Sequence, residues 1–416
     1  MVETSTETEL INQGTYGCVY RPGFMCDGKM RKNKKFISKI QNNKNASEKE
    51  TIIGKIIKKI DNYGEYFAPI IETCELSVAN IKTDKIKHCD IIDESEKVYE
   101  MNKLRYVGKN TLGKYVLQVL NTTPKQLIRM LLNTHQELLI GYGKLFTAGI
   151  IHMDIKENNV MIEDTTGNPI IIDFGLSAIV KNLAEDDYKD VFFTYASDYA
   201  PWCIDICMMS YMANELKNEK APPGMLGFIG VDENKEISWK EGIVTKEHIT
   251  KVINDFITKN NAMINLLNET QRTKYTKTLH DYFGAFVGKR WIELCEELLK
   301  NIASWDSYAV SVMYLSFIKD IELHKPEVNA SHWKSYKGVL EDMILSSPNE
   351  RKSSVEMLSS IKKLFTNISS NENMKLMKIL DMILEDKETK QRINTNILTT
   401  IQTNMRSGKK IYDKQK

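Results

Sequence analysis

The tightest constraint on this chain lies between residues 150 and 175. Two short apolar segments, Asn159-Val-Met-Ile162 and Pro169-Ile-Ile-Ile172, flank a Gly-Asn-Pro turn and read as a hairpin. His152, Asp154, Lys156 and Asn159 lead into it, and Asp173-Phe174-Gly175 follows it. A carboxylate, an ammonium group, an amide and a second carboxylate in that order suit phosphoryl transfer. The first carboxylate accepts the proton of an attacking hydroxyl, and the amide and second carboxylate hold a divalent cation. The ammonium offsets the charge that spreads over the transferred group. Each residue alone could be an ordinary surface polar group. Four of them at these intervals restrict the chain to folds that gather them in one cleft.

The rest of the chain divides into a strand-rich part and a helical part. Residues 7–20 read as strand, turn and strand around Gly14-Thr-Tyr-Gly17. That turn joins two strands, which argues against a dinucleotide-binding turn and for a hairpin whose backbone can approach phosphates. The basic stretch from Lys29 to Lys35 leads into a short strand, Phe36 to Ile40, which carries Lys39. Apolar residues at 52, 53, 56, 57 and 60 mark a helix over 46–60. Strands are expected near 67–73 and 98–107, with the charged stretch 79–97 as a surface loop. From Thr123-Pro124 onward the pattern is helical, and Leu127, Leu131, Leu132, His135, Leu138 and Leu139 mark one face up to Gly149. Beyond 203 nearly everything reads as helix, with a turn-rich break at Ala221-Pro-Pro-Gly224. The expected fold class is α+β: a small β-rich lobe over 1–108, a larger helical lobe over 109–366, and a helical or polar extension over 367–416. The basic end, Arg406 to Lys410, reads as a frayed tail.

Together these motifs resemble the eukaryotic-type protein kinase family, over roughly residues 8–202 and 303–360. Gly14-Thr-Tyr-Gly17-Cys-Val19 resembles its glycine-rich loop, with Asn12 where the first glycine usually stands. Lys39 resembles the strand lysine that holds the α- and β-phosphates. Its helix partner should be Glu50, which shares a face with Ile53 and Ile57, in preference to Glu48. Leu104-Arg105-Tyr-Val107-Gly108 resembles the hinge whose backbone hydrogen-bonds adenine, and Val19 would cover one face of the base. The resemblance makes Asp154 the catalytic base, Lys156 the transition-state cation, and Asn159 and Asp173 the metal ligands. His152, Phe174 and Gly175 would support them. It implies ATP and Mg²⁺ as cofactors, with Mn²⁺ an acceptable substitute for the same donors, and proteins bearing serine or threonine as substrates. Lys156 resembles the serine/threonine kinases rather than the tyrosine kinases. With Asp173-Phe-Gly175 it disfavours kinases of small molecules. Ile-Asn-Gln-Gly-Thr-Tyr-Gly-Cys-Val-Tyr and Gly-Ile-Ile-His-Met-Asp-Ile-Lys are similar to serine/threonine kinases of large DNA viruses, and heavy use of Asn, Lys and Ile agrees with an AT-rich genome.

Three positions depart from that pattern and leave a nucleotide-binding pseudokinase or scaffold as the rival reading: Asn12, Met153 and Trp202. Met153 replaces an arginine that in the family pairs with a phosphorylated activation-segment residue, so activity without such phosphorylation is expected. Trp202 replaces a glutamate that pairs with a buried arginine. That arginine resembles Arg351, which must therefore find another carboxylate. The aspartate that braces the catalytic loop could be Asp205 or Asp306; the surrounding Trp305-Asp306-Ser-Tyr-Ala favours Asp306. That choice implies a helical insertion at about 203–303. The insertion reads as a packing elaboration in preference to a platform for a regulatory partner.

Composition narrows the alternatives. Lys+Arg is 57 against Asp+Glu 55, so no whole-molecule field draws in nucleic acid or an acidic membrane. No apolar run reaches the ~18 residues of a membrane span. The acidic first ten residues lack a signal-peptide pattern. Seven scattered cysteines read as reduced thiols. Cys203-x-x-x-Cys207 reads as a buried pair rather than a zinc site. These features lead to the expectation of a soluble protein of the cytoplasm, or of the host cytoplasm or virion if viral.

Overall fold

The computed structural model describes residues 8–14, 17–81, 86, 89–92, 98–184, 191–216, 242–325 and 331–366. Thr15 and Tyr16, the break at 221–224 and the extension from 367 lie outside them, as do residues 185–190 of the expected activation segment, 176–199.

The first lobe is one antiparallel sheet of β1 (Glu9–Gly14), β2 (Gly17–Arg21), β3 (Phe36–Gln41), β4 (Glu72–Ser77) and β5 (Val98–Arg105), ordered β1-β2-β3-β5-β4. Strand alternation decides which face receives which chemistry. Ile40 joins Cys18, Tyr20, Leu76 and Met101 in a core on one face. Lys39 takes the other face, opposite Val19 and Asn102. Helix α1 (Lys44–Ile57) covers that second face. Asn43 caps it by accepting from Ala46 N at 3.0 Å, and Ser47 donates to Asn102 Oδ1 at 2.9 Å. Glu50, Ile53 and Ile57, at helical spacing, all turn inward.

Three expectations are corrected in this lobe. The strand expected at 67–73 begins at Glu72. Phe67 instead bridges Ile171 and Ala68 N donates to Ile171 O at 3.1 Å, so this apolar run is buried by crossing between lobes. The stretch 79–97 is not wholly a surface loop: Ile86 and Cys89 are buried under the sheet, where Ile86 O accepts from the Tyr20 hydroxyl. The cysteines are not all thiols. Cys18–Cys89 and Cys26–Cys74 form disulfides across sequence separations of 71 and 48, distances at which no local spacing could announce them. Cys203, Cys207 and Cys295 remain free and buried. Burial, followed by the nearby Asp205, pushes the Cys203 thiol up to about 12.

The second lobe opens with β6 (Asn110–Thr111), α2 (Leu112–Val119) and α3 (Pro124–Thr147). Thr123 and Gln126 form a reciprocal capping box at the start of α3, and Gly149, at φ +80°, follows its end. Strands β7 (Ile150–Ile151), β8 (Val160–Ile162), β9 (Pro169–Ile171) and β10 (Ala178–Ile179) form two small sheets, β6-β8-β9 and β7-β10. Next come α4 (Val180–Ala184), α5 (Ile204–Asn214), α6 (Lys246–Lys259), α7 (Asn261–Leu266), α8 (Glu269–Gly284) and α9 (Trp291–Leu299). The lobe ends with α10 (Trp305–His324), α11 (Ser331–Leu345) and α12 (Ser354–Thr366). Helix α10 is apolar around nearly its whole circumference and runs through the core.

Helix α5 falls in the stretch taken as an insertion, yet residues 204–213 are all buried core. Ile249, Val252, Ile253 and Phe256 of α6 and Trp291 and Leu294 of α9 belong to the same continuous core as α3 and α10. The described insertion helices therefore pack as part of the lobe.

Candidate active site

The loop after β7 is shaped from beneath by Asp306, in the first turn of α10. Its carboxylate accepts from His152 N at 2.9 and 3.2 Å and from Met153 N at 3.2 Å. Met153 sits at φ +63°, a left-handed conformation that costs a non-glycine residue roughly 1–2 kcal/mol. Two charge-assisted hydrogen bonds to consecutive amides offset that strain. Burial raises the Asp306 pKa, against the opposing pull of His152 and the two amides. From above, Trp202 Nε1 donates to Met153 O at 3.0 Å. The Met153 side chain, in the place of a family arginine, is buried in apolar core.

His152 is buried and oriented at both ring nitrogens. Nδ1 accepts from Asp154 N at 3.3 Å, so Nε2 carries the proton and donates to Ile172 O at 3.1 Å. Its ring lies 5.3 Å from that of Phe174, which in turn packs on Phe67.

The Asp154 carboxylate is ligated on both oxygens. Oδ2 accepts from Asn159 Nδ2 at 2.8 Å and from Lys156 Nζ at 3.1 Å. Oδ1 accepts from Lys156 Nζ at 2.9 Å and from the Tyr199 hydroxyl. Burial, reinforced by the charge of Asp154, raises the Tyr199 pKa, so the phenol keeps its proton and donates. Sequence reasoning missed Tyr199. It lies three residues before Trp202, but no spacing tells that its phenol returns to Asp154.

A second cluster faces this one. Lys39 Nζ lies 3.1 Å from both oxygens of Glu50 and 3.4 Å from Asp173 Oδ1. Glu50 is buried, whereas Glu48 is exposed. Burial works against the charge on Lys39, but the Glu50 and Asp173 carboxylates outweigh it and raise its pKa. For Asp173 the sign reverses: burial opposes its charge, and Lys39 holds the carboxyl below its ordinary value. Asp173 has a left-handed backbone (φ +60°), and a Cβ at Gly175 would come within 3.4 Å of its Oδ1.

The remaining expected residues surround these clusters. Gly14 pairs with Gly17 at the end of the β1–β2 hairpin, and Val19 lies opposite Lys39. Asn12 is exposed and its amide oxygen accepts from Gln13 N, next to a bulge in β1. Leu104 pairs with Ile37 near the end of β5. The Arg105 side chain turns to Glu163, at 2.5 Å, and to Gly64 O, at 2.9 Å, so only its backbone remains for a hinge contact. Val107, Ala68 and Ile170, with Met161 and Ile172, form a small apolar floor below the hinge strand. A Cβ at Gly108 would come 2.1 Å from Ile162 O, so only glycine lets the linker pass β8.

Arg351 finds its carboxylate in Asp205. The two form a hydrogen-bonded ion pair with both side chains fully buried, and Asp205 Oδ1 also accepts from Trp305 Nε1 at 3.3 Å. Burial opposes the Arg351 charge, and Asp205 overcomes it and raises the pKa. Both aspartates weighed from the sequence are thus engaged, Asp306 under the loop and Asp205 with Arg351.

The donor set also suits a divalent cation. Asp173 offers a half-exposed carboxylate, and the Asn159 nitrogen is spent on Asp154, which leaves its amide oxygen for ligation. Hard oxygen donors few in number, completed by phosphate oxygens and water, are what Mg²⁺ accepts.

Among curated proteins, none matches the chain. The family model described as protein kinase domain matches residues 6–216, just over half of the 416 residues. With the five-stranded sheet, the helical lobe and the two facing clusters between them, this places the chain in the protein kinase family.

Proposed function

We propose that the chain is an ATP- and Mg²⁺-dependent serine/threonine protein kinase, with its lobes meeting near residue 108. The observation that carries this reading is the Asp154 carboxylate held by Lys156 and Asn159, with the Lys39–Glu50–Asp173 cluster completing the cleft. Lys39, positioned by Glu50, holds the phosphates; the Gly14–Gly17 hairpin lets its backbone approach them; and the floor at Val107 takes the base. Asn159 and Asp173 would hold the metal, which supplies charge neutralisation at the phosphates when bound. Asp154 orients the acceptor hydroxyl and takes its proton, and Lys156 stabilises the charge on the transferred group. Lys156, two residues after Asp154, supports serine/threonine acceptors, and the wording of the glycine-rich and catalytic-loop segments supports a viral kinase. The second reading is a nucleotide-binding scaffold. Its support is the Tyr199 phenol, which already occupies Asp154 Oδ1.

The test is transfer from radiolabelled ATP with Mg²⁺ to a generic protein substrate, followed by phosphoamino-acid analysis. Asp154→Asn should lower turnover by several orders of magnitude and spare ATP binding, and Asp173→Ala should abolish transfer. A wild type that binds ATP but never turns it over would select the scaffold.

A further inference from the structure

One contact of the cleft has no part in the roles proposed for Lys39, Asp154, Lys156, Asn159 and Asp173: the end of the activation segment is held by the insertion. Asn260, between α6 and α7, is fully buried. Its Nδ2 donates to Ser197 O at 3.1 Å and to Tyr199 O at 3.0 Å, and its Oδ1 caps α7 by accepting from Ala262 N at 2.9 Å. Beside it, Asn261 binds Asp198 O through its backbone N at 3.2 Å and through its side-chain Nδ2 at 3.1 Å. The Tyr195 hydroxyl donates to Asp255 Oδ2 at 3.1 Å, and Lys251 and Lys259 pair with the same carboxylate. Residues 195–199 are therefore fastened to the α6–α7 corner at five points. The last of them carries the phenol that donates to Asp154.

We propose that Asn260 is a positioning residue for phosphoryl transfer: it fixes the backbone of Tyr199 so that the phenol orients the Asp154 carboxylate. The proposal rests on the kinase reading. Both Asp154 oxygens are fully engaged, so an incoming hydroxyl needs one ligand to leave. Lys156, whose ammonium also donates to the Tyr199 hydroxyl at 3.4 Å, is the ligand that leaves. Its side chain is 40% exposed, and a phosphate would draw the ammonium toward itself. Tyr199 is pinned through its carbonyl by Asn260, and its ring packs on Trp202 at 5.5 Å between centroids. The phenol therefore stays while the substrate hydroxyl takes the vacated position. The insertion contributes to catalysis by holding the end of the activation segment with amides.

The variants isolate the clamp from the cap. Asn260→Asp keeps an acceptor for Ala262 N but loses both donors, and Asn260→Ser keeps a capping hydroxyl too short to reach two carbonyls. With full-length protein, each should lower kcat ten- to a hundredfold while the KM for ATP stays within twofold. Tyr199→Phe should lower kcat similarly, and the double variant Tyr199→Phe/Asn260→Ser should be no slower than Tyr199→Phe alone. Hydrogen exchange across 195–202 should quicken in Asn260→Ser but not in Tyr199→Phe. An unchanged kcat in both Asn260 variants, multiplicative losses in the double variant, or a faster Tyr199→Phe enzyme would each overturn the proposal. An inactive wild type would instead overturn the kinase reading, and the exchange comparison would still decide whether the clamp exists.

Discussion

Replacing Asp205 by Asn tests the buried Arg351 pair with little other disturbance, because the amide oxygen can still accept from Trp305 Nε1. Both charged side chains are fully buried. A second observation sharpens the expectation: Nε and Nη1 of Arg351 have no hydrogen-bond partner among the described residues, so the guanidinium depends on Asp205. Removing one charge of a buried pair costs about 3–5 kcal/mol, chiefly as the penalty of leaving the other uncompensated. For a lobe of this size each kcal/mol is worth roughly 2–4 °C in Tm, so calorimetry should show a loss of at least about 6 °C. Arg351→Met should also destabilise. The double variant Asp205→Asn/Arg351→Met should recover most of the loss, because the pair's own net contribution is small once neither charge is stranded. The shift should persist in 1 M salt, since water and ions do not reach the pair. Losses below about 1 kcal/mol for Asp205→Asn, or a double variant as unstable as the two single losses added together, would refute this reasoning.

Two further expectations concern acid and phosphorylation. His135 is buried with Nδ1 2.7 Å from the Tyr336 hydroxyl and its ring stacked on Tyr314, and burial pushes its pKa from 6.5 down to about 3. Between those values the unfolded chain binds a proton that the folded chain refuses. This contribution is therefore complete above pH 6.5 and decays as the pH falls, by roughly 2–3 kcal/mol at pH 4.5. Urea midpoints followed against pH should show that slope, and His135→Phe should flatten it; equal slopes would exclude His135 as the source. Separately, phosphatase-treated protein expressed in bacteria should keep full transfer activity, because buried Met153 offers no cation for a phosphate. Loss of activity that returns on rephosphorylation would show a dependence the structure does not explain.

The legibility of the site followed the range of each interaction. Lys39 was legible through its resemblance to the family's strand lysine, and helical spacing with Ile53 and Ile57 then chose Glu50 over Glu48 as its partner. Asp306 was legible because its neighbours resemble the family's pattern around that aspartate. The partner of Arg351 was not. Asp205 and Arg351 are separated by 146 residues, and the sequence offered Asp205 only as the weaker candidate for bracing the catalytic loop. The disulfides and the burial of Ile86 were hidden for the same reason, since they depend on what folds back over the sheet.

What the sequence determined by itself was the family and its residue types: two carboxylates, an amide and two lysines whose spacing resembles the protein kinase pattern, all of them within the residues 6–216 that the protein kinase domain model matches. Charge and periodicity act over a few residues, and such information is written locally. The tertiary structure decided which groups complete the site. Tyr199 reaches Asp154 across 45 residues, and Asn260 reaches Tyr199 across 61, because the packed core of α3, α5, α6 and α10 brings their backbones together. Burial then makes those contacts matter, since polar groups withdrawn from water must find one another.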